Sequence, residues 1–314
     1  MEIEELLDEV EINFNNFTKF DFVVDPSDHH YVRRSWSRYE DNYPENTIAN
    51  ITSEWNDLVK GLPYTDSIFV RAYEKRRDLM RAVIVGPKNT PYCYSLFFFD
   101  ILFPRDYPDS LPKFAFRSTT GTYNPNPSMY DSGTKGKLSL IDTLGRKLEL
   151  LSLRESNVLK TLVTLRTKVL NAKPEFGDHN GVFKLSCKTM LETFRRPPKH
   201  FEDFVKGHFR VCAHSILWTC DEYMDNGAAI GEMVTLLFKT FEANGNYLKH
   251  LNHLLDKANA MARYEKHEDE IRKNKAKNGV WTDAWMQLKN MMVVKESAYK
   301  VGCNKDCERF PTFN

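Results

Sequence analysis

TPYCYSLFFFDILFPRDYPDSLPKFAF, residues 90–116, holds two apolar runs joined by a proline-punctuated turn. LFFFDILF (96–103) and KFAF (113–116) are rich in aromatic and branched residues, the composition of strands that fit a buried, pleated surface. FPRDYPDSLP between them breaks the pattern, because each proline removes a backbone donor and fixes φ. A parallel pair would need a long crossover, so runs this close in sequence pair antiparallel. Two further runs, SIFVRAY (67–73) and MRAVIV (80–85), precede them, separated by RRD and GPKNTP. Together the four predict an antiparallel meander and an α+β fold class.

Helical periodicity flanks the meander. Ile48, Ile51, Trp55, Leu58 and Leu62 recur at three- and four-residue steps, with Thr47 as expected N-cap and Gly61 and Pro63 as stop signals. Val158, Leu162, Leu165 and Val169 form a second face, and KPEFGDHNG ends it. LSCKTMLETF, a stop at Arg196-Pro197-Pro198, HFEDFVKGHFRVCAHSILWTCDEYM and a striped piece through Leu255 predict further helices. Residues 118–147 run without period through Gly, Pro, Asn and Ser, and a loop of that length is usually functional or disordered. The expected organisation is an acidic and aromatic extended lead-in (1–46), a core domain (47–209), a helical extension (210–260) and a charged tail (261–314), in which RYEKHEDEIRKNKAK reads as a solvated helix.

Composition narrows the function classes. With 314 residues and 41% apolar content the chain can bury at least one full core. Its 44 basic and 43 acidic residues nearly cancel, so no global field steers it to nucleic acid or an anionic membrane. KGHFR and KNKAK are too short to form a basic face interleaved with aromatics, and no nucleic-acid partner is expected. The densest apolar run contains Asp100 and is far shorter than the roughly 20 residues that span a bilayer. Six dispersed cysteines, and a start, MEIEELLDEVEI, with six acids and no base, predict a reducing cytoplasmic or nuclear setting. Cys303 and Cys307 lack a second ligand pair and read as thiols in a tail, so no metal is expected.

The order of helix, four strands, FP-x-x-YP turn, Asn124-Pro125-Asn126, a long loop ending in Gly136-Lys137-Leu138-Ser139-Leu140 and a following helix resembles the ubiquitin-conjugating enzyme family. Asn124-Pro125-Asn126 is similar to the family's HPN motif, and the GKLSL segment to the one that bears its active cysteine. DPSDHHY (25–31), SIFVRAYEKRRDLMRAVIVG (67–86) and LSCKTMLETFRRPPKHFEDFVKGHF (185–209) are similar to the large plant members of phosphate-homeostasis type, a group akin to the giant hybrids of conjugating enzyme and ligase. The likeness spans about residues 14–255.

This resemblance implies ubiquitin or a ubiquitin-like protein, a ubiquitin-activating enzyme, and a ubiquitin ligase or substrate as partners. It implies no cofactor, since ATP is used by the upstream activating enzyme. It also assigns residues. Ser139 stands at the active-cysteine position, and Asn126 matches the asparagine that stabilises the oxyanion or supports the loop. Asp142 and Asp178 are candidates by position to desolvate and orient an incoming lysine. A thiol of pKa about 8.5 offers some thiolate at neutral pH and leaves readily, whereas a serine hydroxyl does neither without a base. An oxyester on Ser139 would hold ubiquitin rather than pass it on.

Several residues depart from the family pattern. Thirteen positions separate Asn126 from Ser139, more than the family's usual spacing. Leu144, Gly145, Arg146 and Lys147 stand where the family has a tryptophan. Asp109, Ser110 and Leu111 occupy the turn that in better-known members bears an aromatic for ligases, and the first helix offers only Lys60 against Glu54 and Asp57 to the activating enzyme. Together these predict lost or impaired transfer, a pseudo-enzyme or scaffold. The alternative is an active enzyme whose cysteine has been replaced by serine. A hydrolase reading of Ser139 lacks G-x-S-x-G, and transfer through Cys93 would need a thiol placed before strand 96–103 to reach the loop. His200, His208 and His214 read as satisfied groups on helical segments rather than ligands.

Overall fold

Both runs of the opening stretch are strands, and they sit side by side in one sheet. The computed structural model describes residues 8–32, 43–64, 67–117, 157–171 and 179–277. Within these, β1 (Phe20–Val23), β2 (Ile68–Tyr73), β3 (Leu79–Val85), β4 (Leu96–Leu102) and β5 (Lys113–Phe116) lie in the order β1-β2-β3-β4-β5. From β2 to β5 the sheet is the expected antiparallel meander, with Arg81 opposite Asp100 and Phe99 opposite Phe116.

The structure adds a fifth strand to that expectation. β1 runs parallel to β2, from Phe20 opposite Val70 to Val23 opposite Tyr73, and α1 (Glu9–Asn15) precedes it. Asp8 caps α1, its carboxylate accepting the Glu11 N–H at 3.0 Å. Elements of seven and four residues are too short to show a sustained period, which is why the lead-in reads as extended.

The next helix, α2 (Glu45–Gly61), begins two residues before Thr47, so Thr47 is not its N-cap. The Thr47 hydroxyl instead donates to the Arg105 carbonyl at 3.0 Å. α3 (Val158–Thr164), capped by the Asn157 side chain, widens into a π turn over Leu165–Val169. Then follow α4 (His179–Arg195), α5 (Glu202–Asp225), α6 (Gly231–Ala243) and α7 (Asn252–Lys277). The chain forms two compact units, 1–259 and 260–314, with the boundary inside α7. In the second, residues 260–273 include no buried side chain, and the Tyr264 hydroxyl donates to Glu268 at 2.9 Å.

The sheet is covered on both faces. On one, Val70, Met80, Ile84, Phe97, Phe99 and Ile101 pack against Ile51, Trp55 and Leu58 of α2 and Val158, Leu162 and Leu165 of α3 and its π turn. Each such side chain contributes about 1.5–3 kcal/mol on burial. On the other, Phe69 and Phe98 meet Phe17, Phe201 and Phe204, and the Arg71 guanidinium lies 3.9 Å from the Phe17 ring centre. Here α1 crosses α5 at Gly207, where a Cβ would come within 2.2 Å of Phe14.

This second face also buries charge. Arg81, fully buried, donates from Nε to Asp100 at 2.6 Å and from Nη1 to Asp28 at 2.7 Å. Asp100 accepts the His30 N–H at 2.7 Å, and His29 donates from Nε2 to the Met80 carbonyl at 2.9 Å. Asp28 further accepts the Lys199 N–H at 3.1 Å and pairs with Arg117 at 3.1 Å. His200 lies in the turn before α5, not on a helix, with φ of 67°, and its Nε2 donates to the Asp25 carbonyl at 2.8 Å. The DPSDHHY segment is thus the joint between sheet and C-terminal helices.

Candidate active site

Asn126, Ser139 and Asp142, which lie between β5 and α3, and Asp178, just before α4, are outside the described residues. What the structure describes is the frame from which their segments start and to which they return. On the way in, β5 is fastened past its last residue: the Arg117 N–H donates to the Phe98 carbonyl at 2.9 Å and Arg117 Nη1 to the Asp28 carbonyl at 2.7 Å. On the way out, α3 is fastened at its first residue, the Val158 N–H donating to Glu54 Oε2 at 2.8 Å.

Glu54 joins three elements. Its other oxygen accepts the Tyr107 hydroxyl at 2.5 Å, so one buried carboxylate on α2 ties the 103–112 turn to the start of α3. Only 6% of the residue is exposed. Burial raises its pKa, and the two hydrogen bonds oppose that rise without cancelling it. The expectation that Glu54 faces the activating enzyme beside Asp57 and Lys60 is therefore corrected: Asp57 and Lys60 are exposed, Glu54 is not. A signal was present, since Glu54 is three residues after Ile51 and four before Leu58, on the apolar stripe. The same turn is held elsewhere by Thr47 on the Arg105 carbonyl and by Tyr43, whose hydroxyl donates to the Phe103 carbonyl at 3.0 Å.

The described thiols make poor nucleophiles. Cys93, Cys187 and Cys220 are buried and Cys212 half-buried, all unpaired. Burial pushes the Cys93 thiol up to about 12 and the Cys212 thiol to about 11, the latter against the opposing charge of Lys88. Cys220 is raised as well, first by its hydrogen bond with Cys187 and then by burial. Cys212 has a histidine one turn away, with Sγ 3.8 Å from His208 Nδ1, while His208 Nε2 donates to the Tyr94 carbonyl at 2.8 Å. That geometry imitates a cysteine–histidine dyad, yet burial pushes His208 down to about 4, so its imidazole is neutral and cannot stabilise a thiolate. His214 stacks on His250 with ring centres 5.1 Å apart. Among the described residues no group of three or more His, Cys, Asp or Glu side chains is placed to hold a metal ion.

These features converge with the comparisons to known proteins. The model of the family described as "Ubiquitin-conjugating enzyme" matches residues 50–147, a span that includes most of α2, the meander and its turn, and the segment with Asn126 and Ser139. The protein of Arabidopsis thaliana described as "Putative ubiquitin-conjugating enzyme E2 38" is 39% identical over 239 residues, which cover 70% of this chain and 71% of that one. The protein of Arabidopsis thaliana described as "Probable ubiquitin-conjugating enzyme E2 25" is 41% identical over 238 residues, 69% of this chain but 38% of the relative's length. The dual E2 ubiquitin-conjugating enzyme/E3 ubiquitin-protein ligase BIRC6 of Homo sapiens is 31% identical over 185 residues, 52% of this chain and 4% of its own. A helix packed across a meander, a fastened FP-x-x-YP turn, and a relative 39% identical and matched over 71% of its own length lead to one conclusion: the chain belongs to the ubiquitin-conjugating enzyme family.

Proposed function

We propose that this protein acts in the ubiquitin pathway as a conjugating-enzyme core that binds its partners without passing ubiquitin through a thioester. The observation that carries the reading is chemical. GKLSL presents Ser139 where the family needs a thiol, and each described cysteine is buried or half-buried, with Cys93, Cys212 and Cys220 held in the thiol form. If Ser139 attacks the thioester of a charged activating enzyme, a C–O bond forms, the C–S bond breaks and the hydroxyl proton goes to the departing thiolate. The resulting oxyester resists amines, so ubiquitin stays bound. In this reading Asn126 supports the loop or the oxyanion, and Asp142 and Asp178 lie near the lysine approach.

The partners are ubiquitin or a ubiquitin-like protein, the activating enzyme, and a ligase or substrate; ATP is used by the activating enzyme, and this chain needs no cofactor of its own. A cytoplasmic or nuclear site of action fits its thiols. No helix among the described residues is long and apolar enough to cross a membrane. The second reading, a working enzyme whose cysteine has been replaced by serine, is favoured by the intact frame around Glu54.

A charging assay separates the two: protein, ubiquitin, activating enzyme and ATP, resolved with and without reductant, for Ser139 and Ser139→Cys side by side. We expect no reducible adduct on the Ser139 protein. A reducible adduct gained by Ser139→Cys favours the replaced-cysteine reading, its absence favours a binding module, and a reducible adduct on the Ser139 protein overturns both.

A further inference from the structure

The turn from β3 to β4, residues 86–95, holds two non-glycine residues in the left-handed region, Asn89 (φ 61°) and Tyr94 (φ 58°). A bulky side chain adopts that backbone only where its surroundings impose it. They do so here: the Tyr94 N–H donates to the Gly86 carbonyl at 3.2 Å, and the Tyr94 carbonyl accepts from His208 at 2.8 Å. Gly86 must be glycine, because a Cβ would lie 1.9 Å from the Tyr92 carbonyl oxygen. The constrained turn forms one wall of a cleft of about 440 Å³, within the roughly 300–1,000 Å³ of ligand sites, whose other walls are the first turn of α4 and the last turns of α5.

The cleft's charges are of opposite sign and come from different walls. Lys88 on the turn and Glu222 on α5 are exposed, and neither side chain pairs with another described residue. A phosphate or other pure anion would face Glu222, and a pure cation would face Lys88, so each is disfavoured. The Asn89 carboxamide also has no hydrogen-bond partner among the described residues, and its donor and acceptor match those of a peptide bond. An open cleft of this kind suits a chain passing through it.

We propose that this cleft docks an extended polypeptide segment that carries one acidic and one basic side chain, the acid toward Lys88, the base toward Glu222 and a main-chain amide on Asn89. The proposal does not depend on whether Ser139 reacts.

The test uses the full chain and fluorescence anisotropy with fluorescein-labelled glycine peptides that contain one aspartate and one lysine, in both orders and with glycine spacers of varied length. Neutral analogues carrying asparagine and glutamine serve as controls. One order is expected to saturate and to bind about tenfold more tightly than its neutral analogue, the combined effect of two exposed charge pairs. The double reversal Lys88→Glu with Glu222→Lys, at two exposed positions, inverts the preferred order, and Asn89→Ala weakens either order. Glu222→Lys alone, checked by circular dichroism for an unchanged fold, shifts preference toward purely acidic peptides. Binding that no reversal moves, or no saturation by any charged peptide, would overturn the proposal. So would displacement of the peptide by equimolar free aspartate and lysine, which would make the cleft a site for small ions.

Discussion

The two faces of the sheet are built by different physics. The face under α2 and α3 is a continuous apolar core in which Val70, Phe97, Phe99 and Leu162 meet side chains of the same kind. The opposite face places Arg81, Asp100, Asp28 and His29 among aromatic rings, and closes over them with the 25–32 segment and the 196–204 stretch. Apolar contacts are interchangeable within volume limits, while a buried ion pair works only when every member is present. The first face therefore tolerates substitution by degrees, and the second fails or holds as a unit.

The largest effect should follow from breaking the charged face. Asp100→Ala leaves Arg81 buried beside a partly exposed Asp28, and should lower stability by about 3–5 kcal/mol in urea denaturation. Replacing both partners, Arg81→Met with Asp100→Leu, should recover most of that loss. If the double variant is as unstable as the single one, the ions are not acting as a pair. On the apolar face, Leu58→Ala removes a fully buried side chain and should cost about 2–5 kcal/mol, independently of any partner.

Acid distinguishes the faces by sign. Asp28 and Asp100 are both depressed, although burial, the largest single influence on each, acts the other way; the nearby positive charges win for Asp28, and His29 and Arg81 win for Asp100. Their stabilising effect is present above the ordinary aspartate value of about 3.9 and is lost as pH falls through the depressed values. Asp28→Asn should remove part of that acid dependence. Glu54, under the apolar face, is raised by burial, so its contribution is full below the ordinary glutamate value of about 4.3 and declines as pH rises through the raised one. Glu54→Gln should abolish this decline in thermal melts taken across that window. The smallest effect belongs to Lys199→Ala: its ion pair with Asp25 is solvent-exposed and screened, and the urea midpoint should stay where it is.

The same contrast explains what could be read from sequence. α2, the meander and the proline turn were legible because period and punctuation are local properties. β1 and α1 were not: β1 is four residues long and pairs with a strand fifty positions on, as Phe20 does with Val70. The charged face was equally hidden, since Asp28, Arg81, Asp100 and Lys199 come from four distant stretches and each looks solvent-facing in its own. At the candidate site, the resemblance of Asn124-Pro125-Asn126 and of GKLSL to the family's motifs brought forward Asn126 and Ser139, while Asp142 and Asp178 rest on position alone. The fastening carboxylate, Glu54, was passed over because a glutamate in an amphipathic helix reads as surface, although its place on the stripe marked it.

In the proposed function, oxygen in place of sulfur at residue 139 turns a passing site into a holding one. This is tested most directly by following ubiquitin on the Ser139 protein and on Ser139→Cys by intact mass, after charging and a chase with free lysine. The account predicts that any ubiquitin on Ser139 survives the chase, whereas ubiquitin on Ser139→Cys, where it forms, is discharged to lysine. Discharge from the Ser139 protein at the rate of the cysteine variant would contradict it.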